Sequence, residues 1–174
     1  MKKFTPYSKN IIFLDTEFSS LDPYKGEILS IGIVKLNGQE LYLELKYDDK
    51  VDPWVKKNIL PTLTGHKYSK KETIEKIKKF VGGKKPYCIS FVNQYDTIYL
   101  YKMFGVGRHP FFWIPVDFSS ILFSLSINPE SYFLTDKNNF FKKIGINASE
   151  YILHNALDDA KLLKEVYLKM MKNK

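Results

Sequence analysis

The run Asn10-Ile-Ile-Phe-Leu-Asp15 constrains the fold more than any other segment of this chain. Four consecutive apolar residues leave no polar face, so a strand made from them must be covered on both sides, as the central strands of helix-flanked sheets are. The run ends in acid, with Asp15 followed at two residues' distance by Glu17. Side chains alternate along a strand, so both carboxylates project from one face. Side by side at an apolar strand end they repel, and burial makes their charge costlier. A divalent cation, a hydrogen-bond network or a shared proton would each resolve that conflict. A solvated pair on an exposed strand end is the plainer alternative, and the pair alone does not choose.

The segments that follow supply a sheet around this strand. Ile28 to Leu36 and Glu40 to Lys46 read as two strands joined by Asn37-Gly38, a preferred hairpin turn because both positions tolerate positive φ. Asp52-Pro53-Trp54 places a cap before a proline and opens a short helix ending by Pro61. Ser69 and Glu72 form a capping box before a helix with Ile74, Ile77, Phe80 and Val81 on one face, stopped by Gly82-Gly83. Its other face carries Lys70, Lys71, Lys76, Lys78 and Lys79, read first as a solvated face and second as an attraction for polyanions. Tyr87 to Val92 is a further buried strand, with a helix from about Tyr95 to Phe104 behind it. Pro115 to Asp117 is a short strand whose Asp117 caps a helix from Phe118 to Leu125. A helical piece near Asn139 to Ile144 precedes a last helix from about Asn155 to Met171. Strands first, then alternating helices and strands, predict an α/β fold with a mixed five-stranded sheet, three antiparallel strands followed by two parallel ones, flanked by helices.

Two more acids fall where that fold brings them toward the first pair. Asp96 follows the strand Tyr87 to Val92 and sits in the first turn of the next helix, where the helix dipole favours an anion. Plain capping accounts for it equally well when it is taken singly. In the last helix Asp158 continues along a polar stripe through Lys161, Glu165 and Lys169. Asp159 continues along an apolar stripe through Leu163, Val166 and Met170. Helix phase therefore turns Asp159 toward the sheet and Asp158 toward water. His154, about a turn ahead of Asp159, can reach the same place, whereas His66 and His109 are read as structural or surface residues.

The composition narrows the partners. With 27 Lys and Arg against 19 Asp and Glu the chain carries a net charge of +8, which suits a polyanion but does not demand one. Cys88 is the only cysteine, so an intramolecular disulfide is excluded, and a buried thiol in a reducing compartment fits its apolar surroundings. The first apolar run, Ile11 to Leu14, is too short for a signal peptide, and no run reaches the roughly 20 residues that span a bilayer. The expectation is one domain over residues 1–174, cytoplasmic, with no membrane partner.

Taken in order, Asp15-Thr-Glu17-Phe, then Asp96 after a strand, then His154-x-Ala-Leu-x-Asp159-Ala, resemble the DEDDh 3′–5′ exonucleases of the ribonuclease T and proofreading-exonuclease superfamily. The likeness spans Ile12 to about Tyr167 and implies a ribonuclease H-like fold. Finer features resemble the short, single-domain bacterial and phage exoribonuclease branch: Ser30-Ile-Gly-Ile-Val34, the Trp54 to Pro61 segment, and Tyr95-Asp96 leading to Phe104-Gly105. One departure is Asn93-Gln-Tyr-Asp96, a residue shorter than the superfamily's Asn-x-x-Phe-Asp, so Asn93 inherits no role.

The resemblance implies two divalent cations, Mg²⁺ or Mn²⁺, held by Asp15, Glu17, Asp96 and Asp159, with Asp15 bridging both and His154 as general base. It implies hydrolysis of single-stranded or 3′-overhang RNA to nucleoside 5′-monophosphates, with homodimers occurring among relatives. Phe18 and Ser19 would contact the terminal nucleotide, although Phe18 serves equally well as a core aromatic. A DNA-directed exonuclease and an inactive nucleic-acid-binding module of the same fold are the competing readings.

Overall fold

The computed structural model describes residues 6–48, 50–132 and 137–172, and the side chains of 137, 138 and 172 lie outside that description. The segment Ile11–Phe18 is strand β1, extending past Asp15 through Glu17, and it lies between two neighbours. Strand β2 (Ile28–Lys35) pairs with it antiparallel, and β3 (Glu40–Leu45) pairs antiparallel with β2. Gly38, with φ of 93°, makes the turn between them. On the other side β5 (Tyr87–Ser90) runs parallel to β1, and β6 (Val116–Asp117) runs parallel to β5.

The sheet has six strands rather than five, in the order β4-β3-β2-β1-β5-β6. The addition is β4 (Lys67–Tyr68), parallel to β3 at the edge. Two residues carry no readable period, which is why periodicity does not reveal this strand. Strand β5 ends at Ser90, short of the expected Val92, because the chain turns at Val92, whose φ is +54°.

Helices cover both faces. On one, Phe13 of β1 and Val34 of β2 pack against Phe118 and Leu122 of α4 (Phe118–Ser124), Phe141 of α5 (Lys137–Ile144), and Leu163, Val166 and Met170 of α6 (Ala156–Lys172). On the other, Ile12, Leu14, Ile31 and Ile33 pack against Ile77 and Val81 of α2 (Lys70–Val81) and against Leu100 and Met103 of α3 (Gln94–Phe104). Phe13 and Leu14 are both fully buried, on opposite faces. Each such side chain contributes about 1.5–3 kcal/mol, so β1 is anchored from both sides. A smaller cluster of Leu29, Val55, Ile59 and Leu63 fastens α1 (Pro53–Asn58) and the 3₁₀ turn Leu60–Thr62 across the end of β2.

The cap signals act as expected at α2 and α4, whereas Asp52 ahead of α1 makes no side-chain cap bond. Ser69 and Glu72 form both halves of the capping box on α2, Gly82 ends that helix at φ 75°, and Asp117 accepts the amides of Ser119 and Ser120 to start α4. The lysines of α2 face solvent. Asn155 caps α6 instead of beginning it, its side-chain oxygen accepting the amides of Leu157 and Asp158. No helix among the described residues is long and apolar enough to cross a membrane.

One contact fixes how α6 meets the sheet. Gly32 of β2 lies opposite Asp15 of β1. A Cβ built on Gly32 would lie 2.1 Å from the Ala156 carbonyl oxygen and 2.4 Å from the Leu157 nitrogen. The first turn of α6 therefore rests directly on backbone. A position without a side chain is what allows that approach, and it brings Asp159, one turn further on, beside β1.

Candidate active site

Strand parity and helix phase converge on one point. An oxygen from each of Asp15, Glu17 and Asp159 lies within 4.8 Å of the others. Asp15 and Glu17 project from the face that carries Phe13, and Asp159 descends onto them from the first turn of α6. Asp158, the adjacent acid, turns away: it accepts the Ile152 amide at 3.0 Å and lies 3.8 Å from the Lys161 ammonium.

Asp96, in the first turn of α3, is 5% exposed and stands beside this trio without joining it. Its Oδ1 accepts the Thr16 hydroxyl at 2.5 Å, so the residue between the two strand acids orients the acid on the neighbouring helix. His154 lies at the mouth. Its φ of 61° is left-handed, its amide donates to Asp159 Oδ2 at 3.0 Å, and its ring meets the Trp54 ring edge-on at 5.1 Å. All five residues line one cleft of about 410 Å³.

The electrostatics are those of an acid cluster short of positive charge. Burial, and then the charges of Asp159, Glu17 and Asp96, push the Asp15 carboxyl well above the usual range. Burial followed by Asp159 and Asp96 pushes Glu17 up to about 8. Burial raises Asp96 to about 7 even though the Thr16 hydroxyl acts the other way. Hard oxygen donors crowded together at this cost fit divalent cations such as Mg²⁺ or Mn²⁺, whose charge would make the ionised forms favourable.

A stability prediction follows from these shifts. Below about pH 4 the carboxyls are largely protonated in both folded and unfolded chains. From there to about pH 8 the folded chain keeps protons that the unfolded chain has released, so its stability falls as pH rises. Thermal unfolding in EDTA should give a Tm that declines from pH 5 to pH 8, and added Mn²⁺ should flatten the decline. A metal-free Tm that rises over that interval would contradict the shifts.

The two nucleotide-contact candidates part company. Phe18 lines the cleft yet is 9% exposed and stacks on Tyr99 with centroids 4.1 Å apart, so it is core aromatic and cleft wall together. Ser19 is buried, and its hydroxyl accepts the Glu27 amide at 2.9 Å. It does not line the cleft; Ser20 and Leu21 do. Asn93 is held through its backbone N–H, which donates to Asp117 Oδ1 at 3.3 Å.

The cleft also has an apolar rim that no motif in the sequence marks. Trp54, Leu21 and Leu153 line it and are 55%, 61% and 43% exposed. The signal in the sequence is a tryptophan beside the proline that opens a six-residue helix; in the structure only Val55 of that helix is buried.

The family model described as RNase_T, exonuclease, matches residues 12–167 of this chain. Among solved structures, the zinc-bound form of the E. coli exonuclease I complex with single-stranded DNA superposes with a TM-score of 0.70 at 15% identity, covering 93% of this chain and 40% of that one. Another structure of exonuclease I gives 0.68 at 16% identity, with the same coverage. The chain thus spans about 40% of the length of these two structures, and the likeness to them is one of fold. No curated protein matches significantly.

Proposed function

The chain belongs to the exonuclease family, within the DEDDh 3′–5′ superfamily, and on that premise we propose that it trims single-stranded RNA from the 3′ end, releasing nucleoside 5′-monophosphates. The observation that carries the reading is the meeting of Asp15, Glu17 and Asp159, with Asp96 behind them and His154 in front, in a single cleft.

Asp15, Glu17, Asp96 and Asp159 would hold two Mg²⁺ or Mn²⁺ ions. Such cations supply Lewis acidity and neutralise the charge that gathers on a phosphodiester during displacement. The protein's own groups do the rest. Thr16 fixes the Asp96 carboxyl through its hydroxyl, and Asp159 holds the His154 backbone while facing the strand acids. His154 accepts the proton of the attacking water, a role suited to an imidazole, whose ring nitrogens can take up and release a proton. The exposed rings and methyls of Trp54, Leu21 and Leu153 give a terminal base something to lie against, since stacking requires only a π-face. We read residues 1–174 as one such exonuclease domain.

Single-stranded DNA is the second reading, favoured by the bound DNA in the exonuclease I complex. The chemistry is shared, and the choice depends on contacts with the 2′-hydroxyl. The test is degradation of matched RNA and DNA oligonucleotides labelled at the 5′ or the 3′ end, with Mn²⁺ and with EDTA. The expected result is a ladder shortening from the 3′ end of RNA that EDTA abolishes. Faster loss of DNA would transfer the assignment, and binding without cleavage of either would leave only a nucleic-acid-binding module.

A further inference from the structure

We propose that Thr62 is a positioning residue for His154, holding the backbone of the general base from the turn that follows α1. The inference rests on reading His154 as that base. His154 is one of four non-glycine residues with positive φ among those described, a conformation that side-chain-bearing residues seldom adopt and that persists only when neighbours hold it.

Here both peptide groups that flank the residue are held by side chains. The His154 amide donates to Asp159 Oδ2, and the His154 carbonyl accepts the Thr62 hydroxyl at 2.9 Å, across 92 residues of sequence. The same hydroxyl lies 2.9 Å from the Ile59 carbonyl, but that carbonyl already accepts the Thr62 amide at 2.9 Å. The Ile59 carbonyl thus keeps a donor when the hydroxyl turns its single hydrogen to the part-buried His154 carbonyl.

Thr62 can act as a fixed point because its own segment is immobilised on both sides. Ile59 and Leu63 are buried with Leu29 and Val55. Three residues beyond Thr62, the Gly65 amide donates at 2.8 Å to Glu44 Oε1, and Glu44 is itself 2% exposed on β3. Ahead of it, Trp54 of α1 sets its ring against the imidazole. The wall formed by α1 and the following turn thus grips the histidine loop at its carbonyl and at its ring, while α6 grips it at the amide. Loss of the Thr62 bond would let the left-handed turn relax and move the imidazole without touching any acid.

The test compares Thr62→Val, which keeps the shape and removes the donor, with Thr62→Ser, which keeps the donor. Thr62→Val should lower kcat about tenfold with KM nearly unchanged, as expected for one hydrogen bond felt at the reacting geometry, and Thr62→Ser should restore it. In a His154→Ala background Thr62→Val should cost nothing further, since a residue acting through another is non-additive with it. In metal-free protein, hydrogen exchange at the amides of residues 153–155 should quicken in Thr62→Val, with the amides of β1 unaffected. Should Thr62→Val not fold, Thr62→Ala carries the same comparison.

Wild-type kcat in Thr62→Val, a loss confined to KM, or a full extra loss on His154→Ala would each overturn the proposal. If His154→Ala alone kept wild-type kcat, the general-base reading would fail instead, and the exchange measurement would still judge the Thr62 contact.

Discussion

Asp159→Asn should lower exonuclease turnover by about 10³-fold or more, equivalent to about 4 kcal/mol of barrier, while Asp158→Ala, one residue away, should keep most of the activity. The amide removes an anionic oxygen from the cluster formed with Asp15 and Glu17, and it weakens the acceptor for the His154 backbone. One substitution thereby disturbs both the acid cluster and the loop that carries the base. Asp158 joins neither the acid cluster nor the bond to His154. Its carboxylate accepts the Ile152 amide and faces Lys161, so its loss loosens the start of a loop whose backbone water can reach. Single-turnover cleavage of a 5′-labelled oligonucleotide separates the two variants. Equal losses would mean that the direction of the α6 faces does not govern the site.

The second large effect is expected at a residue with no functional group. Gly32→Ala should destabilise the fold by about 1–3 kcal/mol in urea titration and reduce kcat by roughly 10²-fold. The new methyl would meet backbone atoms of Ala156 and Leu157, which cannot rotate away as a side chain would. The first turn of α6 must therefore lift from β2. Asp159 and His154 ride on that turn, and Asp15 lies opposite Gly32, so the displacement opens the acid cluster directly. Gly83→Ala is the matched control, because a Cβ there meets nothing within 4 Å. Wild-type stability and activity in Gly32→Ala would show that α6 has slack at this contact.

How far the sequence alone carried depended on whether a residue's role is periodic. The parity of Asp15 and Glu17 and the helix phase of Asp159 against Asp158 are repeats, and both place their residues where the structure does. The two-residue β4 repeats nothing, so periodicity yields five strands where the sheet has six. Ser19 enters only through the family resemblance; β1 shifts register between Glu17 and Phe18, and the chain beyond turns the Ser19 hydroxyl to the Glu27 amide. Trp54, Thr62 and Gly32 act through tertiary neighbours 100, 92 and about 124 positions along the chain, and local pattern holds no trace of such partners.

The crowding of acids at the end of β1 also bears on how long the protein persists. A folded chain that must confine Asp15, Glu17 and Asp96 near neutral pH carries a penalty the unfolded chain does not. Cations that bind only the folded cluster offset that penalty and add their own binding free energy, by mass action. Divalent ions then act as folding ligands as well as reagents. Chelation would lower turnover and raise the open population that proteases cleave, so the supply of cation would set the lifetime of the molecule together with its rate.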